Sequence, residues 1–137
     1  MKKIILFTTI LILVGLVLIG GGCGSAIDWP DFCQEEVKAP EAIDESLIFP
    51  DSRCVRVEEN YMGLSNTWDF SFCAKAQKEA VLEWYKQELA QKGYEYWYDE
   101  EYAKDEYLWK KGEAYIIVNL PYIQSDEFIR FMLTIHQ

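Results

Sequence analysis

Apolar and polar positions change period several times along this chain of 137 residues. Over residues 77–94, Val81, Leu82, Trp84, Tyr85 and Leu89 recur at helical spacing, with Glu79, Glu83, Lys86, Gln87 and Gln91 between them. Gly93 follows Lys92, the order expected for a left-handed stop after a basic last turn. This is the one clear amphipathic helix, and stretches of period two flank it. Residues 53–58 alternate, residues 60–66 around Gly63 read as a turn, and residues 67–73 alternate with Trp68, Phe70 and Phe72 on one side. Beyond the helix come an aromatic strand over 94–98, an acidic loop over 99–105, and a hairpin of 107–110 with 113–120 about Lys111-Gly112. That hairpin places Tyr107, Trp109, Ala114, Ile116, Val118 and Leu120 on one face, assigned to the core. Pro121 is expected to end its strand. The last alternation, 128–136, turns Ile129, Phe131, Leu133 and Ile135 inward and Arg130, Thr134 and His136 outward.

The pattern predicts an α+β domain over 48–137, with one main helix packed on an antiparallel sheet in the order β-β-α-β-β-β-β. The strand order within the sheet stays open. The segment 23–47, with Pro30, Pro40 and little periodicity, reads as a tether carrying a helical turn near 41–45. Trp29, Phe32 and Cys33 are unusual in a linker and are expected against the domain edge.

The N-terminus has a different layout. Lys2 and Lys3 precede an apolar run over 4–19, and Gly20-Gly21-Gly22-Cys23 follows. This is the order of a secretory signal. Small residues before a cysteine resemble the lipobox of bacterial lipoproteins, and the resemblance implies acylation of Cys23 and removal of residues 1–22. Gly21 and Gly22 fit that pattern, whereas Gly20 stands where the family usually has Leu. An uncleaved membrane anchor and ordinary secretion are the alternatives. A diacylglyceryl cysteine supplies two acyl chains, enough for stable anchoring where one chain is marginal.

Processing would leave 115 residues, enough for one core, and would move the formal charge from −10 to −12 with the loss of Lys2 and Lys3. Such acidity excludes nucleic acid as a partner and gives no basis for docking on anionic lipid head groups. With lipid on Cys23, three cysteines are left for one disulfide and one thiol, which an exported location permits. Pairing the first two strands about Gly63-Leu64 sets Val57 opposite Phe70, Val55 opposite Phe72 and Cys54 opposite Cys73. The favoured bridge is therefore Cys54–Cys73. Cys33 paired with either is the alternative, and a leftover Cys33 is a route to a covalent dimer.

Chemistry-bearing motifs are sparse. His136 lies beside the C-terminal residue, a poor support for a catalytic base. Ser65, Ser71 and Ser125 have no motif around them, and no phosphate loop, HExxH or nucleophile elbow occurs. Asp99, Glu100, Glu101, Asp105 and Glu106 lack the spacing of an EF-hand and read as a solvated loop. The cysteines contain no CxxC pair, so neither metal nor cofactor is expected. No enzymatic activity is expected.

The chain has 5 Trp, 9 Tyr and 7 Phe. Side chains in 94–98 cannot all point inward, which makes Tyr96, Trp97, Tyr98 and the outward Tyr115 a candidate binding surface. Flat aromatics there would anchor a protein interface or stack on sugar rings. A rival site is an apolar cleft between helix and sheet lined by Trp84, Tyr85 and Trp109.

The segment Phe49-Pro50-Asp51-Ser52, the helix from Glu79 to Tyr85 with Leu89 and Gly93-Tyr94, and the Lys111-Gly112 turn together resemble a domain of small bacterial envelope lipoproteins. The likeness covers roughly residues 49–135 and rests on fold markers. It implies an extracytoplasmic, lipid-anchored α+β domain and no site residues. The expectation is a membrane-anchored binding or accessory module with an envelope protein partner; a small apolar ligand or a glycan is the alternative.

Overall fold

The structure, a computed structural model, describes residues 27–41, 43–97 and 104–137, with the backbone alone at Pro121 and Tyr122. The expected signal or anchor over 1–22, together with Cys23 and Tyr98, lies outside the described residues. No helix among the described residues is long and apolar enough to cross a membrane.

Among the described residues, six strands and one α-helix follow in the expected order: β1 (Arg53–Glu59), β2 (Thr67–Ala74), α1 (Lys78–Gln91), β3 (Glu95–Trp97), β4 (Glu106–Lys111), β5 (Ala114–Gln124) and β6 (Ile129–His136). They form one antiparallel sheet ordered β1-β2-β6-β5-β4-β3. The helix carries the chain from β2 to the far edge, and the β3–β6 meander returns to pair with β2. The fold is thus α+β, with α1 across one sheet face.

The helix buries Val81, Tyr85 and Leu89, one residue per turn on a single stripe. They meet Phe70, Phe72, Trp109, Ile116, Val118 and Phe131 from the sheet. Tyr85 is fully buried and donates its hydroxyl to the Leu47 carbonyl at 3.1 Å. Its burial satisfies the hydroxyl, as a buried polar group requires. The helix ends in a Schellman motif. The Tyr94 N–H reaches the Leu89 carbonyl at 2.9 Å, the Gly93 N–H reaches the Ala90 carbonyl at 3.0 Å, and Gly93 takes φ +80°.

Three expectations are corrected. The β4–β5 turn centres on Gly112-Glu113, with Lys111 opposite Ala114 and Trp109 opposite Ile116. Each strand shifts by one residue, so side-chain parity, and with it the core set, is unchanged. The strand containing Pro121 continues to Gln124 through a register irregularity between Asn119 and Ile123, where a proline is tolerated.

The third correction concerns the disulfide. Val57 does face Phe70, and the pairing from Arg56 to Glu59 follows the expected register, but a bulge lies between Cys54 and Arg56. The extra residue, Val55, moves Cys54 opposite Phe72 and Arg53 opposite Cys73. Cys54 therefore turns into the main core as a buried free thiol. Cys73 stays on the other face and bonds to Cys33, with Cα atoms 5.8 Å apart.

Where the sequence predicts a tether, the described part lies against the domain. Trp29 and Phe32 pack with Cys33, Val55 and Cys73 on the face away from the helix. The Val37 N–H then bonds the Cys54 carbonyl at 2.8 Å, covering part of the β1 edge. Ile43 and Leu47 are buried in the helix-side core, and the helical turn falls at Glu45–Leu47. Residues 27–41 and 43–49 thus form a strap from one sheet face, round the edge, to the other.

Candidate functional site

Pleating fixes which residues share the outer face, the one away from α1. Thr67, Asp69, Ser71 and Cys73 of β2 lie beside Arg130, Met132, Thr134 and His136 of β6. Tyr115, Ile117 and Asn119 of β5, then Glu106, Leu108 and Lys110 of β4, continue the face. The strap covers one end of it. The other end holds a groove of about 290 Å³, with Tyr61, Met62 and Leu64 on its rim and Tyr115, Ile117 and Met132 among its walls.

The rim is built from unusual backbone. Asn60, Met62 and Asn66 all take positive φ (54°, 56° and 61°). Asparagine visits this region readily, but methionine does so at a cost of about 1–2 kcal/mol. Met62 and Leu64 are nonetheless turned to solvent, at 79% and 50% exposure.

Polar groups under the rim are mostly paired. Thr67 Oγ1 and His136 Nδ1 share a hydrogen bond of 2.9 Å, and the Tyr115 ring stacks on His136 with centroids 4.8 Å apart. Asn119 donates to Glu106 at 3.2 Å. Thr134 donates to Asp69 Oδ1 at 2.8 Å, while Asp69 Oδ2 is buried with no partner among the described residues. Burial raises the Asp69 carboxyl above its ordinary value, and the Thr134 bond and Arg56 oppose that only in part. Asp69 and His136 are each held by a threonine, so neither orients the other.

At the opposite edge, β3 pairs with β4 so that Tyr96 faces Trp109 and Trp97 faces Leu108. Trp97 therefore turns to the outer face and Tyr96 to the helix side, where its ring lies 5.2 Å from Trp109. Both are exposed, at 48% and 44%. The Lys110 ammonium sits 4.0 Å from the centroid of the Trp97 ring.

The structure therefore brings Tyr96 and Trp97 together on one edge strand. Tyr115 lies apart from them, in the groove and half-covered by His136. The rival cleft is filled: Tyr85 and Trp109 are fully buried, and Trp84 packs edge-on against Phe49 and Tyr85. Two wider depressions, about 610 and 530 Å³, lie along the strap and share Phe49, Pro50 and Asp51. Lys38 and Glu41 on the first form a solvent-exposed ion pair and do not converge on its interior. Of the acidic loop, Asp105 pairs with Lys78 and Glu106 with Asn119, while residues 99–103 lie outside the described set. Among the described residues no three His, Cys, Asp or Glu side chains gather as a metal site.

The sequence pattern does not single out Met62, Leu64 and Met132 of the groove, or the buried Asp69 bonded to Thr134. The alternation of β2 put Asp69 on the polar side. Its full burial is set by side chains of the neighbouring strands, which no local period reveals. The chain matches no protein-family model, no curated protein sequence and no solved structure.

Proposed function

We propose that this chain is a membrane-anchored extracytoplasmic lipoprotein that works as a binding or accessory module of the cell envelope. The observation that carries the binding role is the exposure of Trp97 and Tyr96 on the terminal strand of the sheet. The other edge is partly covered by the chain's own strap. Large aromatics with a neighbouring cation supply much of the energy of protein interfaces. The Cys33–Cys73 disulfide supports an oxidising, extracytoplasmic location. The small residues before Cys23 support lipid attachment there.

The test is capture of partners from mildly solubilised envelopes by the full chain and by its Trp97→Ala variant. Loss of one partner by at least tenfold in W97A, with retention in an Ile123→Ala control, is expected. Equal capture by both overturns the edge as the contact surface.

A second reading rests on the outer groove. Its walls combine Tyr115, Ile117 and Met132 with Thr67, Asn119 and Thr134, a mixture suited to an amphipathic sugar ring. Saturable thermal stabilisation by a soluble envelope glycan, abolished in Tyr115→Ala, favours this reading over a protein partner.

A further inference from the structure

Very little chain joins the proposed anchor to the folded domain. The described chain begins at Ile27, and Trp29, Phe32 and Cys33 already lie against the domain. The Trp29 ring lies 5.6 Å from Phe128, with the Arg53 guanidinium 4.7 Å from its centroid. The Phe32 carbonyl accepts from Arg130 at 3.2 Å, and Cys33 is bonded to Cys73. Six peptide steps separate Cys23 from Trp29, about 22 Å at full stretch.

All these contacts fall at one pole of the sheet. Arg53 opens β1 beside Cys73, Ala74 closes β2 opposite Ile129, and Gln124 closes β5 opposite the same residue. Lys78 starts α1 at this pole too. Beside Ile27, itself 42% exposed, lies the depression of about 530 Å³ lined by Phe49, Pro50, Asp51, Lys75, Ala76 and Ala80. The Lys75 charge is offset by Glu127 at 3.2 Å, so the pole has no net basic character at that point.

We propose that this pole is the surface that lies against the bilayer, with Ile27, Trp29, Pro50, Lys75, Ala76 and Ala80 turned to the lipid interface. The inference rests on the anchored-lipoprotein reading and adds the orientation of the domain. The short tether keeps this pole near the bilayer, and its apolar and indole surface has a chemistry suited to the interfacial layer. The β1–β2 loop, one strand length away, is then held about 25 Å further from the lipid, so the outer groove opens away from the membrane.

The test uses the full-length protein from native membranes, reconstituted in phosphatidylcholine vesicles that carry a head-group nitroxide. Tryptophan quenching is read for the wild type, Trp29→Phe and Trp97→Phe. W29F is expected to lose at least half of the quenching and W97F to keep it. Quenching that is indifferent to W29F, or lost in W97F, overturns the orientation. Hydrogen exchange on the wild-type vesicles gives a second reading independent of how W29F folds. Protection at residues 75–80 with none at 60–66 is expected, and the reverse pattern contradicts it. The intact mass of the same sample separates the two levels: an unlipidated protein that washes off the vesicles overturns anchor and orientation together, whereas an anchored protein without Trp29-dependent quenching overturns orientation alone.

Discussion

Asp69 is a fully buried carboxyl on the outer sheet face, flanked by Glu58 of β1 and Thr134 of β6. One oxygen accepts from Thr134, and the other has no partner among the described residues. Desolvation raises its pKa in the fold, so the folded state keeps the proton to higher pH than the unfolded chain, whose value is near 3.8. The sign follows by linkage: the cost of the buried charge is present in full above the raised folded value and is relieved as pH falls toward 3.8. Asp69→Asn is therefore expected to stabilise the domain at pH 7 by roughly 1 kcal/mol, the scale of an unsatisfied buried polar group. The gain should shrink at pH 4. Urea unfolding at both pH values measures it, and a variant less stable than wild type at pH 7 contradicts the assignment. Cys54 is a second buried titratable group. Burial pushes its thiol up, which keeps it protonated and slow to react. Iodoacetamide should modify it only after unfolding, and rapid modification of the native protein would show that β1 opens locally.

At the scale of elements, the helix stop and the strap clasp are the parts whose loss should be felt most. Gly93 holds φ +80° with only the distal Lys111 side chain near an added Cβ. Gly93→Ala should thus cost about 1–2 kcal/mol through backbone strain and lower Tm by several degrees. An unchanged Tm would mean that the helix C-terminus relaxes without loss. The Cys33–Cys73 bond closes a loop with a sequence separation of 40. On the chain-entropy scale that is worth about 4 kcal/mol. Cys33→Ser and Cys73→Ser should each lose about that much, and the double variant no more than either single one, because both remove the same bond. Additive losses in denaturant titrations would show that the two sulfurs act separately. Helix, strand order along the chain and core faces were legible because each follows from local periodicity, which survives small shifts of register. The disulfide was not, because one bulged residue, Val55, inverts the face of Cys54 without leaving a mark on the alternation. The docking of Ile43 and Leu47 was hidden for a related reason: a strap has no period, and its contacts are all made with distant strands. Strict pleating required that either Trp97 or the tyrosines beside it face outward, and only the pairing of β3 with β4 decides for Trp97. The groove rim at Met62 depends on a left-handed backbone that the residue type disfavours.

For the whole molecule, the disulfide and the strap, together with the anchor proposed at Cys23, would hold the domain close to the membrane. The aromatic β3 edge and the outer groove are the surfaces proposed for binding. The acidic balance of the chain fits solubility beside a membrane and offers no attraction to anionic head groups. The most direct single measurement is the intact mass of the protein from native membranes, with thiols alkylated before and after denaturation. The expected mass is that of residues 23–137 plus a diacylglyceryl group, with no alkylation of the native protein and one alkylated thiol, Cys54, after unfolding. An unmodified full-length mass would contradict the lipid anchor. Alkylation of Cys33 or Cys73 without prior reduction would contradict the clasp that fixes the strap and, with it, the placement of the domain.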